Sequence, residues 1–226
     1  QNKKSNTLRV ASLFSGIGSP EFALKRLGID HKIIFACDNG EIDFKVSDDE
    51  IEKEISTLSS IEERKNYIKS IIPKNKVNYV KKSYMANYEI DEEDFYFNVR
   101  YFDATPYKGK VDLLIGGSPC QSFTLLGYQK GLEEARGTLF YDYARVVKEV
   151  EPKAFIYENV QGLVKHDSGK TWAVIRRVFE SLGYTINSEV LDAVNYGIAQ
   201  KRRRIIVVGF TEGGEDFLFP DGKPLN

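Results

Sequence analysis

Short apolar runs bounded by Gly, Pro or Asp recur along the chain, at Leu8 to Phe14, Lys32 to Cys37, Val111 to Ile115, Ala154 to Tyr157, Ser188 to Leu191 and Arg204 to Phe210. Their length and punctuation predict buried strands. Between several of them apolar residues repeat at helical spacing, over Pro20 to Leu27, Thr138 to Val150 and Thr171 to Leu182, and Gly183 stands where a C-cap is expected after the last. Strand and helix alternating in this way predict an α/β fold around a mostly parallel sheet. Ligands of such sheets bind beyond the carboxyl ends of the strands. The residues that follow each apolar run therefore carry the functional reading.

One stretch breaks the rhythm. From Asp43 to about Asp94 the chain is highly charged and mostly helix-compatible: acidic at Asp48, Asp49, Glu50, Glu52 and Glu54, basic at Lys74, Lys76, Lys81 and Lys82, and acidic again from Asp91 to Asp94. It reads first as a solvated helical excursion on the edge of the sheet, with a partner-binding arm as the functional alternative.

Composition narrows the classes. With 226 residues the chain is long enough to bury a real core, and 42% hydrophobic against 29% charged residues argues against disorder, a collagen-like fibre and a membrane-embedded protein. The two cysteines, Cys37 and Cys120, make no disulfide framework, and no charged-then-apolar leader precedes the first strand, so an intracellular location is expected. His31, His166 and the cysteines show no metal-ligand spacing. A net charge of -1 means that any nucleic-acid partner must be held by a local patch or by another domain.

At the strand ends, Phe14-Ser15-Gly16-Ile17-Gly18-Ser19-Pro20-Glu21 is a glycine turn that opens a helix. It is either a ligand-approaching loop or a structural turn, since the third small position of the full dinucleotide fingerprint is missing. Asp38 ends the second run, and Asp103 follows a short extended segment at Tyr101-Phe102. In such folds these positions suit ribose hydroxyls and an adenine edge, so with the glycine turn they suggest an adenosine-containing cofactor; singly each is a routine cap residue. Val111 to Ile115 runs into Gly116-Gly117-Ser118-Pro119-Cys120-Gln121, where Cys120 is either a candidate nucleophile or a small buried hydrophobe. Glu158 emerges from an apolar strand, so it must find a donor or keep a proton. In Gln200-Lys201-Arg202-Arg203-Arg204, alternation puts Arg202 and Arg204 on one face, as a basic turn or as a pair of guanidiniums for phosphate or a base carbonyl.

Taken in order, Phe14-Ser-Gly-Ile-Gly18, Gly117-Ser-Pro-Cys120-Gln121, Arg136-Gly-Thr-Leu139-Phe140, Glu158-Asn-Val160 and Gln200-Lys-Arg202-Arg-Arg204 resemble successive motifs of the DNA (cytosine-5) methyltransferase family. The resemblance covers most of residues 8 to 210. It implies a Rossmann-like class I methyltransferase with helices on both faces of the sheet, S-adenosylmethionine as cofactor, double-stranded DNA as partner, and a place in the bacterial cytoplasm or on the nucleoid. By the same resemblance the Cys120 thiolate adds to carbon 6 of a flipped-out cytosine, Glu158 hydrogen-bonds its N3 and exocyclic amine, and Arg202 orients the base and Cys120. Arg204, Pro119, Gln121 and Asn159 complete the catalytic set, and Ser122 to Leu132 resembles a loop that closes over the base. Phe14, Gly16, Ile17, Gly18, Asp38, Asn39, Asp103 and Leu139 match the cofactor positions.

Departures are visible too. Ser19 stands where the family often has a second consecutive glycine, and Asn39 where a residue often stacks on adenine. The Asp38 to Asp103 interval is longer than usual. Tyr84 to Tyr88 looks like the end of a family helix, which makes residues of the 43–94 segment an insertion. The expectation is one catalytic domain over 1–226, with the target-recognition region and C-terminal motifs elsewhere, on a longer chain or a second subunit. A tRNA cytosine-5 methyltransferase and a non-catalytic subunit of the same fold are the alternatives.

Overall fold

The computed structural model describes residues 7–119 and 138–223. Among these described residues seven strands, β1 (Leu8–Leu13), β2 (His31–Cys37), β3 (Phe95–Tyr96), β4 (Leu113–Gly116), β5 (Ala154–Val160), β6 (Thr185–Asp192) and β7 (Arg203–Phe210), form one sheet in the order β3-β2-β1-β4-β5-β7-β6. The pairs from β3 through to β5 are parallel, and β7 runs antiparallel to β5 and β6. All six apolar runs are strands. β5 and β6 are longer than their apolar stretches because β7 pairs with both along their whole length.

The extended segment expected at Tyr101-Phe102 is not a strand. Val99–Tyr101 is a 3-10 turn whose Asn98 side chain accepts the Arg100 N–H at 2.9 Å, and the third strand is Phe95–Tyr96, paired with Ala36 and Cys37. Two residues are too few to show a period, and the acidic run before them folds into a 3-10 turn, Glu92–Asp94, that leads straight into β3.

Six α-helices among the described residues join the strands: α1 (Ser19–Arg26), α2 (Asp48–Thr57), α3 (Ile61–Ile71), α4 (Tyr79–Asn87), α5 (Leu139–Val150) and α6 (Lys170–Ser181). Gly183, at φ +90°, follows α6 as the C-cap expectation requires, and its N–H reaches the Glu180 carbonyl at 3.0 Å. The main core lies on one face, where Phe140, Tyr143 and Val147 of α5 and Ile175 and Phe179 of α6 meet Leu13, Phe35, Leu114 and Phe155 of the sheet. Each such fully buried side chain stabilises the fold by roughly 1.5–3 kcal/mol.

The other face is reached through a slip in β2. The β1–β2 register shifts between Val10 and Ala11, so Ile33 and Ala36 turn away from Phe35 and Cys37 and pack with Tyr84 of α4 and Phe95. α1 lies on this face too, with buried Glu21 accepting a hydrogen bond from Ser12 at 2.7 Å. Helices thus cover both faces.

The charged segment folds as α2, α3 and α4. Ser47 with Glu50 and Ser60 with Glu63 form capping boxes at the starts of α2 and α3, which bury only Ile51 and Ile68 respectively. Lys65 and Lys69 pair with Glu93, and Lys81 with Glu92. α2 and α3 are therefore the solvated excursion expected beside the edge strand, whereas α4 is part of the packed body.

Candidate active site at the strand ends

The strand order reverses direction between β1 and β4, and the turns after β1, β2, β4 and β5 all leave the same edge of the sheet. Because β7 is antiparallel, its first residues return to that edge, where Arg204 is paired with Val160.

After β1, the Ser15 N–H continues the strand pairing to the Cys37 carbonyl at 3.1 Å, while Phe14 (φ +52°) and Gly16 (φ +52°) both take left-handed backbone. For Phe14 that conformation carries strain, of a kind found where a turn is shaped for a ligand. Gly18, at φ +85°, caps α1, and Ile17 between the glycines is exposed. The Asp38 carboxylate ties two loops together: it accepts the Gly16 N–H at 2.9 Å on one oxygen and the Gly40 N–H at 2.8 Å on the other. A Cβ at Gly16 would meet no atom within 4 Å, so the turn opens on free space beside a carboxylate with acceptor capacity to spare.

The remaining cofactor positions are less gathered. Asn39 spends its side chain on its own loop, accepting the Glu41 N–H at 3.1 Å and donating to the Ile42 carbonyl at 3.3 Å. Asp103, placed after a 3-10 turn rather than at the end of the third strand, accepts both the N–H and the hydroxyl of Thr105 and lines a cavity of about 620 Å³ with Asn98, Tyr101 and Ile42. Leu139 is the first residue of α5 and packs against the main core, below a Thr138 cap that accepts the Tyr141 N–H at 3.0 Å.

On the β4–β5–β7 side the structure brings Glu158, Arg202 and Arg204 together. Arg204 Nε lies 2.9 Å from Glu158 Oε1, and Arg202 Nη2 lies 3.7 Å from the same oxygen. Glu158 thus finds the donor its position demands, and Arg204 makes the closer contact. Arg203 points the other way, to Asp192 at 2.9 Å. Asn159 is 2% exposed and acts on the neighbouring turn: its amide donates to the Ser118 carbonyl and the Tyr157 hydroxyl, each at 2.9 Å, and its oxygen accepts the Val160 N–H at 2.8 Å. Ser118 Oγ and the Tyr157 hydroxyl are 2.7 Å apart. A buried three-residue polar network therefore grips the exit from β4 immediately before exposed Pro119.

Tyr157 and Ser118 escape a sequence reading because a tyrosine in an apolar strand and a serine before a proline carry no special pattern. Gly117 gives a faint signal as the second of two glycines. The Glu158 side chain lies over it, so that a Cβ there would fall 2.9 Å from Glu158 Oε2 and 2.6 Å from the Glu158 carbonyl oxygen. Cys120 and Gln121, the segment 122–132 and Arg136 lie outside the described residues. Cys37 is buried in the core, and burial pushes its thiol well above the usual range, which disqualifies it as a nucleophile.

A family described as C-5 cytosine-specific DNA methylase matches residues 8–223. The orphan methyltransferase M.SPRI of Bacillus phage SPR is 36% identical over 205 residues, which is 91% of this chain and 38% of that protein. The type II methyltransferase M.HhaI of Haemophilus parahaemolyticus is 44% identical over 117 residues, 51% of this chain and 36% of that protein. Among solved structures, the S. pombe Dnmt2 methyltransferase superposes with a TM-score of 0.57 at 21% identity, over 92% of this chain and 52% of that one, a likeness of fold. The chain spans well under half the length of these curated relatives.

Proposed function

Because the chain belongs to the C-5 cytosine-specific DNA methylase family, we propose that it is the catalytic region of a restriction-modification type enzyme that methylates carbon 5 of a cytosine turned out of double-stranded DNA. The observation that carries this reading is the Glu158–Arg204 pair, 2.9 Å apart, at the same sheet edge as the Asp38–Gly16 tie. Sequence recognition then falls to chain beyond these residues or to a second subunit.

S-adenosylmethionine, when bound, supplies an electrophilic methyl group. The residues nearest the Gly16 turn fit its nucleoside: Asp38 offers carboxylate oxygens to ribose hydroxyls and the Phe14 to Gly18 turn leaves open space at Gly16, while Asn39, Asp103 and Leu139 are the positions the family resemblance assigns to the rest of it. On the base side, the Cys120 thiolate adds to carbon 6, and the electron pair of the 5,6 double bond becomes available at carbon 5. Glu158, steadied by Arg204 and Arg202, holds the N3 and amino edge of the ring as charge develops there. Once carbon 5 has taken the methyl group, with the cofactor's sulfur leaving as a thioether, a base would remove the carbon 5 proton, and the electron pair left behind would reform the 5,6 double bond and expel the Cys120 thiolate. Asn159 keeps the Ser118–Pro119 turn in place, with Pro119 and Gln121 flanking the nucleophile.

Transfer of labelled methyl to duplex DNA by the protein at its full length tests the reading. Cys120→Ala is expected to abolish transfer and Glu158→Gln to lower it about 10²–10³-fold. Undiminished transfer by Cys120→Ala overturns the mechanism.

A further inference from the structure

The helix α4 at the end of the charged segment touches both loops of the candidate cofactor site, one with each of its ends. At its start, Asn78 is the N-cap, with Oδ1 accepting the Lys81 N–H at 2.8 Å, while its Nδ2 donates to the backbone carbonyl of Asp38 at 3.0 Å. Gly40, at φ +60°, fits against the same side chain, since a Cβ there would come within 2.3 Å of Asn78 Oδ1. At its far end, the Tyr88 hydroxyl donates to the Gly18 carbonyl at 2.6 Å, and a Cβ on Gly18 would fall 2.2 Å from the Tyr88 ring. Between them, fully buried Tyr84 donates to Glu21 of α1 at 2.7 Å.

We propose that α4 is a brace for cofactor binding, in which Asn78 and Tyr88 are positioning residues that fix the Asp38 loop and the Gly16–Gly18 turn at the spacing a nucleoside needs. This rests on the S-adenosylmethionine reading given above. The argument is geometric. Asp38 can link Gly16 and Gly40 only if the two loops are held at a fixed separation, and the side-chain amide of Asn78 and the hydroxyl of Tyr88 hold the two backbone carbonyls that set it. Such pre-organisation acts on affinity and leaves the chemical step alone. The brace acts through the backbone carbonyls of Asp38 and Gly18 rather than through the cofactor itself.

The test separates the brace from the cap. Asn78→Asp and Asn78→Ser both keep an N-cap oxygen but lose the amide that reaches the Asp38 carbonyl. Tyr88→Phe keeps the ring against Tyr84 and loses the hydroxyl. In the protein at its full length, each variant is expected to raise the Kd and the KM for S-adenosylmethionine about five- to tenfold. The kcat at saturating cofactor should stay within about twofold of the unmodified protein, and the Tm should not change. Unchanged Kd in Tyr88→Phe and in both Asn78 variants overturns the proposal. So does a loss of affinity that appears only where the Tm falls, which marks a structural role alone. If the unmodified protein binds no S-adenosylmethionine, the cofactor reading itself fails and this inference falls with it, whereas a normal Kd in the unmodified protein with no effect of the variants rejects the brace alone.

Discussion

At the scale of single residues, the Glu158–Arg204 pair and the network beneath it obey different rules. Glu158 and Arg204 share one face of adjacent antiparallel strands, at positions diagonal to each other across β5 and β7, where long side chains meet. Tyr157 and Asn159 lie on the opposite face of β5, fully enclosed, so every polar atom there needs a partner. Tyr157→Phe removes the acceptor of one Asn159 N–H and the hydrogen-bond partner of Ser118 Oγ. We expect it to cost about 1–3 kcal/mol of stability in urea denaturation and to lower kcat, because the turn that loosens leads directly to Cys120. Glu158, Arg202, Arg204 and Asp38 were legible in the sequence, since a charged side chain at the end of an apolar run must be solvated, paired or put to use. The polar roles of Tyr157 and Ser118 were not, because their hydroxyls matter only through each other and lie 39 positions apart. The left-handed backbone of Phe14 was equally hidden, as nothing in a phenylalanine announces it.

Elements are legible wherever a period has room to show. The apolar stripes of α5 and α6 and the six longer strands follow from pattern alone, while β3, two residues long, shows no period, and the pattern points instead to Tyr101-Phe102. Asp103 moves with it, from a strand end to the head of a 3-10 turn, where Thr105 occupies one of its oxygens. Within the charged segment, α2 and α3 bury one residue each, so their ends decide how long they stay wound. The Ser47 hydroxyl and N–H hold the Glu50 carboxyl below its usual range, and the Ser60 N–H, with its hydroxyl second, does the same for Glu63. Ser47→Ala and Ser60→Ala should speed amide hydrogen exchange in their own helix about five- to tenfold. Global unfolding should hardly move, and protection unchanged in residues 48–57 or 61–71 would show that packing, not capping, holds them.

For the molecule as a whole, the end of the sheet remote from the site has its own fastening. Asp112, just before β4, receives Arg9 of β1 through both guanidinium and backbone contacts at 2.9–3.0 Å, and Lys153, just before β5, at 2.9 Å. The Arg9 hydrogen bonds hold the Asp112 carboxyl well below the usual carboxylate range, against the opposing effect of burial. Its contribution is therefore complete above the unfolded value near 4, and it is lost as pH falls below that value and the unfolded chain takes up the proton first. Asp112→Asn should lower Tm by several degrees at neutral pH, a gap that closes as the pH is taken below about 4; a gap independent of pH would assign the loss to packing.

Strand order was the part of the whole that local pattern could not supply, because nothing within Arg203–Phe210 states which neighbours it will have or that it will run backwards. That placement has a consequence in time. β7 comes last along the chain among the seven strands but sits inside the sheet, between β5 and β6. As the protein is made, β5 must wait with an unpaired apolar edge until β6 and then β7 have been added, since β6 lies on the far side of the empty slot. A chain caught at that stage presents a strand edge to any neighbour, the situation in which nascent proteins aggregate or recruit chaperones. Only insertion of β7 closes the edge, and the same event delivers Arg204 to Glu158, so the chain acquires its candidate chemistry at the moment it becomes safe from its neighbours.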